Sequence, residues 1–252
     1  MRARAGAVAG LVVIGAGLIA SRPAPAEFVY DLSSRLIAIT TAFVGTQVLL
    51  YGASPGRGGE IAVVVRGPAR DMTVRRKSQV GPIWINTTSL VFRDVPSFYA
   101  VAASAPLDAL GGPGTLARHE LGAQRLRLTA DDAAQTGETE LASFRAALIR
   151  NQQRNGLFSA EPATVSFLGD TLFRTRIVFP ANVPPGDYQV EVLQFAGGEV
   201  VGAQSSKLEI AKMGLEADLF DFATKWPALY GLTSIVLALA AGWIANALFQ
   251  RP

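Results

Sequence analysis

The chain has 252 residues, half of them hydrophobic, with one histidine and no cysteine. Without cysteine no disulfide can brace the fold, and a structural zinc site of four Cys and His ligands is excluded. The formal charge of +3 comes from one end: three of the 23 basic residues, Arg2, Arg4 and Arg22, and none of the 20 acidic ones, lie within the first 26. The remainder is neutral and gives no support for nucleic-acid binding.

Residues 1–26 predict a secretory signal peptide. A short basic region is followed by an apolar run over 5–20 and by Ala24-Pro25-Ala26, an A-x-A cleavage pattern. The run is interrupted by Gly6, Gly10, Gly15 and Gly17 and is short for a membrane span. Cleavage is expected after Ala26. No Arg-Arg pair points to the twin-arginine route. Residues 27–212 are then expected in the periplasm, and they are enough for one sizeable domain or two small ones.

The first half of that region predicts short strands over 37–41, 46–51, 61–66, 72–77, 83–86 and 98–103. Turn material such as Gly67-Pro68 and Gly81-Pro82 separates them. The middle, about 105–160, predicts a helical insertion. Leu141, Phe144 and Leu148 recur at helical spacing within 137–154, and Gly156 follows as a stop. Strands return over 164–168, 172–179, 188–195 and 200–210, with Gly197-Gly198 turning the last pair into a hairpin. The stretch Val183-Pro184-Pro185-Gly186-Asp187-Tyr188 resembles the loop and tyrosine that open a late strand in immunoglobulin-like sandwiches, where the hydroxyl bonds back to the loop. The expected fold is mainly β: one Ig-like β-sandwich with a helical insertion, two separate domains being the alternative.

Residues 213–228 predict an amphipathic juxtamembrane helix, with Leu215, Leu219, Phe222 and Trp226 on one side and Pro227 at its end. The apolar stretch 229–249, LYGLTSIVLALAAGWIANALF, carries no charge over 21 residues. At about 1.5 Å per residue such a helix crosses a hydrocarbon layer of about 30 Å. A single transmembrane helix is expected, with 250–252 as a cytoplasmic stub and the cytoplasmic (inner) membrane as the location. Ser234, Ala238, Gly242 and Asn246 recur every four residues on one face of it. Small residues there admit a partner helix, either a second copy or a multi-spanning protein; ordinary span composition is the alternative.

Five segments together resemble the Alph_Pro_TM family of alphaproteobacterial transmembrane envelope proteins. They are AITTAFVGTQVLLY at 38–51, VVVRGPARDMTVRRKSQVGPIWIN at 63–86, FRDVPSFYAVAA at 92–103, FRAALIRNQQRNGL at 144–157 and LYGLTSIVLALAAGWIA at 229–245. The resemblance implies a cleaved signal, an outer domain and a C-terminal anchor. It also implies a neighbouring permease similar to the TauE/SafE exporters of sulfite and organosulfonates. It carries over no catalytic residue and no cofactor.

Little in the chain suggests catalysis. His119 has no Gly-x-Ser-x-Gly nucleophile to serve. Gly111-Gly112-Pro113-Gly114-Thr115 lacks the Lys-Ser/Thr of a phosphate loop. No enzyme, metal site or cofactor is expected. The richest segment is 66–84, where Arg66, Arg70, Arg75, Arg76 and Lys77 face only Asp71. Strand alternation puts Met72, Val74 and Arg76 on one side, and Thr73, Arg75 and Lys77 on the other. Arg76, in phase with the apolar pair, is expected as a buried arginine with a carboxylate or carbonyl partner. Arg75 and Lys77, with Trp84 close by, are expected to face out. There they form either a site for a small anion (sulfite, sulfonate, phosphate or a lipid headgroup) or the protective charges of an edge strand. The function expected is that of a membrane-anchored accessory protein beside an exporter, the alternative being a periplasmic anion-binding module.

Overall fold

The computed structural model describes residues 28–54, 59–131, 133 and 136–249. The signal and cleavage site expected over 1–26 and the stub expected over 250–252 lie outside them. Seven strands come first: β1 Val29–Leu32, β2 Leu36–Ile39, β3 Gly45–Ala53, β4 Glu60–Arg66, β5 Ala69–Val80, β6 Ile83–Pro96 and β7 Tyr99–Ala103. The insertion holds α1 Leu107–Leu110, α2 Pro113–Arg118, β8 Thr129–Ala130 and α3 Glu138–Arg154. Five strands follow, β9 Ala163–Thr164, β10 Ser166–Leu168, β11 Leu172–Pro180, β12 Gly186–Ala196 and β13 Glu199–Lys212, and then α4 Leu215–Lys225 and α5 Pro227–Phe249.

The strands form three sheets, ordered β1-β3-β11-β10, β2-β13-β12-β4-β7-β9 and β5-β6-β8. The first two face each other across an apolar core, with both halves of the chain contributing to each. In β11, Phe173, Thr175, Ile177 and Phe179 point inward while the residues between them are exposed, the period of two that a half-buried strand requires. These side chains meet Ile61, Val63 and Val65 of β4 and Tyr188, Val190 and Val192 of β12. Tyr188 packs against Phe98 and Phe179 at 5.8 Å between ring centroids, and its hydroxyl donates to the Pro184 carbonyl at 2.5 Å. The Val183–Tyr188 stretch thus makes the bond back to its own loop that its sequence suggested.

β4 explains how the third layer attaches. All five residues from Ile61 to Val65 are buried. Ile61, Val63 and Val65 face the sandwich core, whereas Ala62 and Val64 face a second core on the opposite side of the sheet. Burying such a side chain fully is worth about 1.5–3 kcal/mol, so this strand ties both layers together. The second core is closed by Leu110 and Leu116 of α1 and α2, Phe144 and Leu148 of α3, and Val74, Leu90 and Phe92 of the β5–β6 hairpin. α3 ends where expected, with Gly156 at φ +71° just beyond it. Gly197 and Gly198, both at positive φ, turn β12 into β13.

The C-terminal segment divides at Trp226. Its φ of −133° and ψ of 58° end α4, and Pro227 opens α5, a position where the missing amide hydrogen costs nothing. The rings of Phe222 and Tyr230 meet edge to face across the joint at 5.9 Å. α5 is long and apolar enough to cross a membrane, and none of its apolar window is buried among the described residues. The chain is a membrane protein, with one candidate span among the described residues, near the C-terminus.

Candidate functional site: a projecting basic hairpin

The strands expected over 72–77 and 83–86 are parts of one long hairpin, twelve residues out and fourteen back. It continues the β4–β7 pair. Gly67 donates to Phe98 O at 2.8 Å and Ser97 to Pro68 O at 2.9 Å, after which Ala69 pairs with Pro96. At this junction Gly186, at φ +139°, lies against Pro68, where a Cβ would approach the proline ring to 2.9 Å. Close approach and backbone angle both call for glycine.

Only the proximal half of the hairpin is packed. Val74, Leu90 and Phe92 are buried, but every residue from Gln79 to Ser89 is exposed. The distal half is therefore an arm. Its tip carries Val80, Ile83, Trp84 and Ile85 at 52, 59, 65 and 41 % exposure. Cross-strand register assigns the faces, because directly opposed residues share one. Val80 opposes Ile83 and Ser78 opposes Ile85, on the side that continues the core face; Gln79 opposes Trp84 and Lys77 opposes Asn86 on the other. Strand alternation adds Arg75 to the second side with Lys77, and the hairpin register brings Trp84 onto the same face. No ion pair or hydrogen bond engages the Arg75 or Lys77 side chain among the described residues. No acidic residue occurs between Met72 and Phe92. Asp71, the one carboxylate in the basic segment, pairs with Arg93 at the base, and Arg93 is also held by Asp131 at 2.5 Å. β5 is an edge of its sheet, so the edge-protection reading of these cations also has its geometry.

Arg76 departs from expectation. It lies on the core-facing side and does find a carboxylate, Glu140 of α3 at 2.9 Å, with Ser143 Oγ at 3.4 Å and its guanidinium 4.7 Å from the Phe144 ring centroid. It is not buried, however, since 41 % of its side chain is accessible. The core ends at Val74 and Leu90, and Arg76 sits one step past it as a lid over Phe144. Phase along a strand gives the face of a residue but not whether anything covers it.

The arginine with a carboxylate on either side in a partly buried setting is Arg66, at the end of β4, with 19 % of its side chain exposed. Its Nη1 lies 2.7 Å from Glu191 Oε2 of β12 and its Nε 3.4 Å from Glu120 Oε2, while Nη2 donates to the His119 carbonyl at 2.9 Å. His119 caps the end of α2, its Nδ1 3.9 Å from Glu191 Oε1. Tyr99 holds the same turn, donating from its hydroxyl to Glu120 O at 2.5 Å and accepting from the Gly122 amide at 2.8 Å. Burial raises the Tyr99 pKa far above its usual value. This network clamps the insertion to the central sheet. Sequence reading missed it because Arg66 and Glu191 are 125 residues apart.

On α5, Ser234 is turned back on its own helix, its hydroxyl donating to Tyr230 O at 2.9 Å. A Cβ at Gly242 would meet nothing within 4 Å, so the face of Ser234, Ala238 and Gly242 stands open at that point. Asn246 follows one turn further on. Among the described residues no cluster of three His, Cys, Asp or Glu side chains could hold a metal ion.

A family model described as "Putative transmembrane protein (Alph_Pro_TM)" matches residues 27–251. No curated protein and no solved structure matches the chain.

Proposed function

The chain belongs to the Alph_Pro_TM family of transmembrane proteins, and we propose that it is an accessory subunit, not an enzyme. In this reading the signal is removed and the β domain stands in the periplasm. α5 anchors it in the inner membrane beside a multi-spanning partner, a TauE/SafE-like anion exporter. The observation that carries the reading is α5 itself: a 23-residue apolar helix none of which is buried among the described residues, with glycine at the centre of a small-residue face. Such a face lets a neighbouring helix approach closely, and an asparagine on it adds an interhelical hydrogen bond. The test is co-purification from native membranes in mild detergent. Gly242→Leu should release the partner by forcing the helices apart, a loss of about 1–2 kcal/mol for a forfeited interhelical bond and more for a clash. Leu237→Ile, off the stripe, should retain it. If Gly242→Leu leaves association undiminished, α5 is a tether and the partner contact lies elsewhere.

A second reading, a small-anion binding module, is favoured by the one face shared by Arg75, Lys77 and Trp84 with no carboxylate on the arm. Guanidinium and ammonium groups match sulfite, sulfonate or phosphate oxygens. Titration calorimetry of the detergent-solubilised chain with these anions should give heat that Arg75→Ala with Lys77→Ala abolishes. Absence of heat from the wild type refutes this reading.

A further inference from the structure

We propose that the β5–β6 arm is a second membrane contact. Val80, Ile83 and Trp84 enter the boundary between headgroups and acyl chains of an anionic bilayer, with Lys77 and Arg75 at the lipid phosphates. The inference rests on the anchored reading above for proximity to a membrane. It adds a surface that the anchor does not require.

Four observations point to lipid as the occupant. First, the tip is apolar on both faces: Val80 and Ile83 on one, Trp84 on the other, with the Gly81-Pro82 turn open between them. A protein partner typically covers one face of a hairpin, whereas a fluid interface surrounds both. Second, tryptophan and aliphatic residues at an exposed tip match the chemistry of the bilayer interface, where amphipathic indole rings settle. Third, the spacing fits. Lys77 is three residues from Val80, about 10 Å along a strand, and interfacial elements bury their apolar parts by about 5–10 Å. A tip at that depth brings Lys77 level with the phosphates. The absence of any acid between Met72 and Phe92 removes the repulsion that anionic lipid would otherwise exert.

Fourth, the arm leaves the domain from the end that leads to the anchor. Gln189 of β12 opposes both Arg66 of β4 and Lys207 of β13. β4 runs on through Gly67-Pro68 into the arm, while β13 runs on to Lys212 and then α4 and α5. Both exits therefore lie at the same end of the central sheet.

The experiment places the full chain, one copy per nanodisc, in phosphatidylcholine with or without phosphatidylglycerol. The chain has no cysteine, so Gln79→Cys, opposite Trp84, takes an environment-sensitive nitrobenzoxadiazole label and leaves the apolar tip intact. Val201→Cys, exposed at the other end of the sheet, is the control. With phosphatidylglycerol, the label at 79 should shift to the blue and be quenched by acyl-chain nitroxides, while the label at 201 stays in water. Each cation near an anionic surface favours docking about five-fold, so Arg75→Ala with Lys77→Ala should lower the docked-to-free ratio roughly 30-fold. A label at 79 as water-exposed as that at 201 overturns the proposal. So does shielding without nitroxide quenching, which would mean a protein contact, or shielding produced by inorganic phosphate alone, which would mean a free-anion site. In a separate sample of the same disc composition, with Trp84 and Trp226 replaced by phenylalanine, quenching of the remaining Trp243 by brominated lipid reports α5. Quenched Trp243 with an exposed label at 79 rejects the arm alone, and loss of both rejects the anchor as well.

Discussion

Replacing Arg66 by methionine should weaken the domain more than any other single charge removal on β4 or β5. The side chain is 19 % exposed and touches Glu191 at 2.7 Å, the His119 carbonyl at 2.9 Å and Glu120 at 3.4 Å. Methionine keeps much of the apolar stem but leaves two carboxylates, each about one-fifth exposed, without their cation. Removing one partner of a buried ion pair costs about 3–5 kcal/mol, and an exposed pair is worth under about 1 kcal/mol. This site lies nearer the buried limit, and partial solvation moves the expected loss to about 3 kcal/mol. For a domain of this size that is a fall in melting temperature of about 6–12 °C. Urea unfolding of the full chain in detergent, followed by circular dichroism, measures it. Glu191→Gln should be partly redundant with it, because both remove the same contact, giving a coupling energy of about 1–2 kcal/mol in a double-mutant cycle. A loss below about 0.5 kcal/mol for Arg66→Met would refute the clamp, since the insertion would then be held by apolar packing alone.

Arg76→Ala should cost about 1 kcal/mol or less, because its pair with Glu140 is exposed and its contact with Phe144 is a surface cation–π contact; a loss above about 2 kcal/mol would restore the buried reading. Alkali should unfold the domain through its tyrosines. Burial pushes Tyr188 up to about 12 and Tyr99 higher still, against about 10 in an unfolded chain. The folded state thus holds protons that the unfolded state releases. This stability is intact below pH about 10 and declines above it by about 1.4 kcal/mol per pH unit for each tyrosine. The phenolate absorbance of these two, taken as the difference from the Tyr99→Phe, Tyr188→Phe variant, should rise together with the loss of circular dichroism. Its appearance at pH about 10 with the fold intact would contradict the burial.

Much of the fold was legible because its cues are local. α3 shows helical spacing and a glycine stop, β13 follows a Gly-Gly turn, and the loop before Tyr188 carries its own hydrogen bond. The apolar run of β4 marked a strand, but a run of five cannot say that each face meets a different layer. The hairpin was read as two short strands for a physical reason. Beyond Val74 and Leu90 neither face is covered, so the alternation that signals burial disappears, and a register shift at Arg76/Lys77 breaks the phase as well. The shared face of Arg75 and Lys77 was readable from alternation, whereas Trp84 joins it only through the register of the hairpin. The Arg66 clamp was not, since it depends on the register of β4 against β12, which no local pattern encodes.

The most direct test of a β domain held outside the inner membrane by α5 is labelling of a single cysteine at Val201 with a membrane-impermeant maleimide. It should be done in intact cells whose outer membrane alone has been permeabilised. The chain contributes no other thiol, and Val201 is exposed. The account predicts full labelling before lysis, with the labelled chain recovered in the membrane pellet after carbonate extraction. Labelling only after lysis, or a labelled chain recovered in the supernatant, would contradict it.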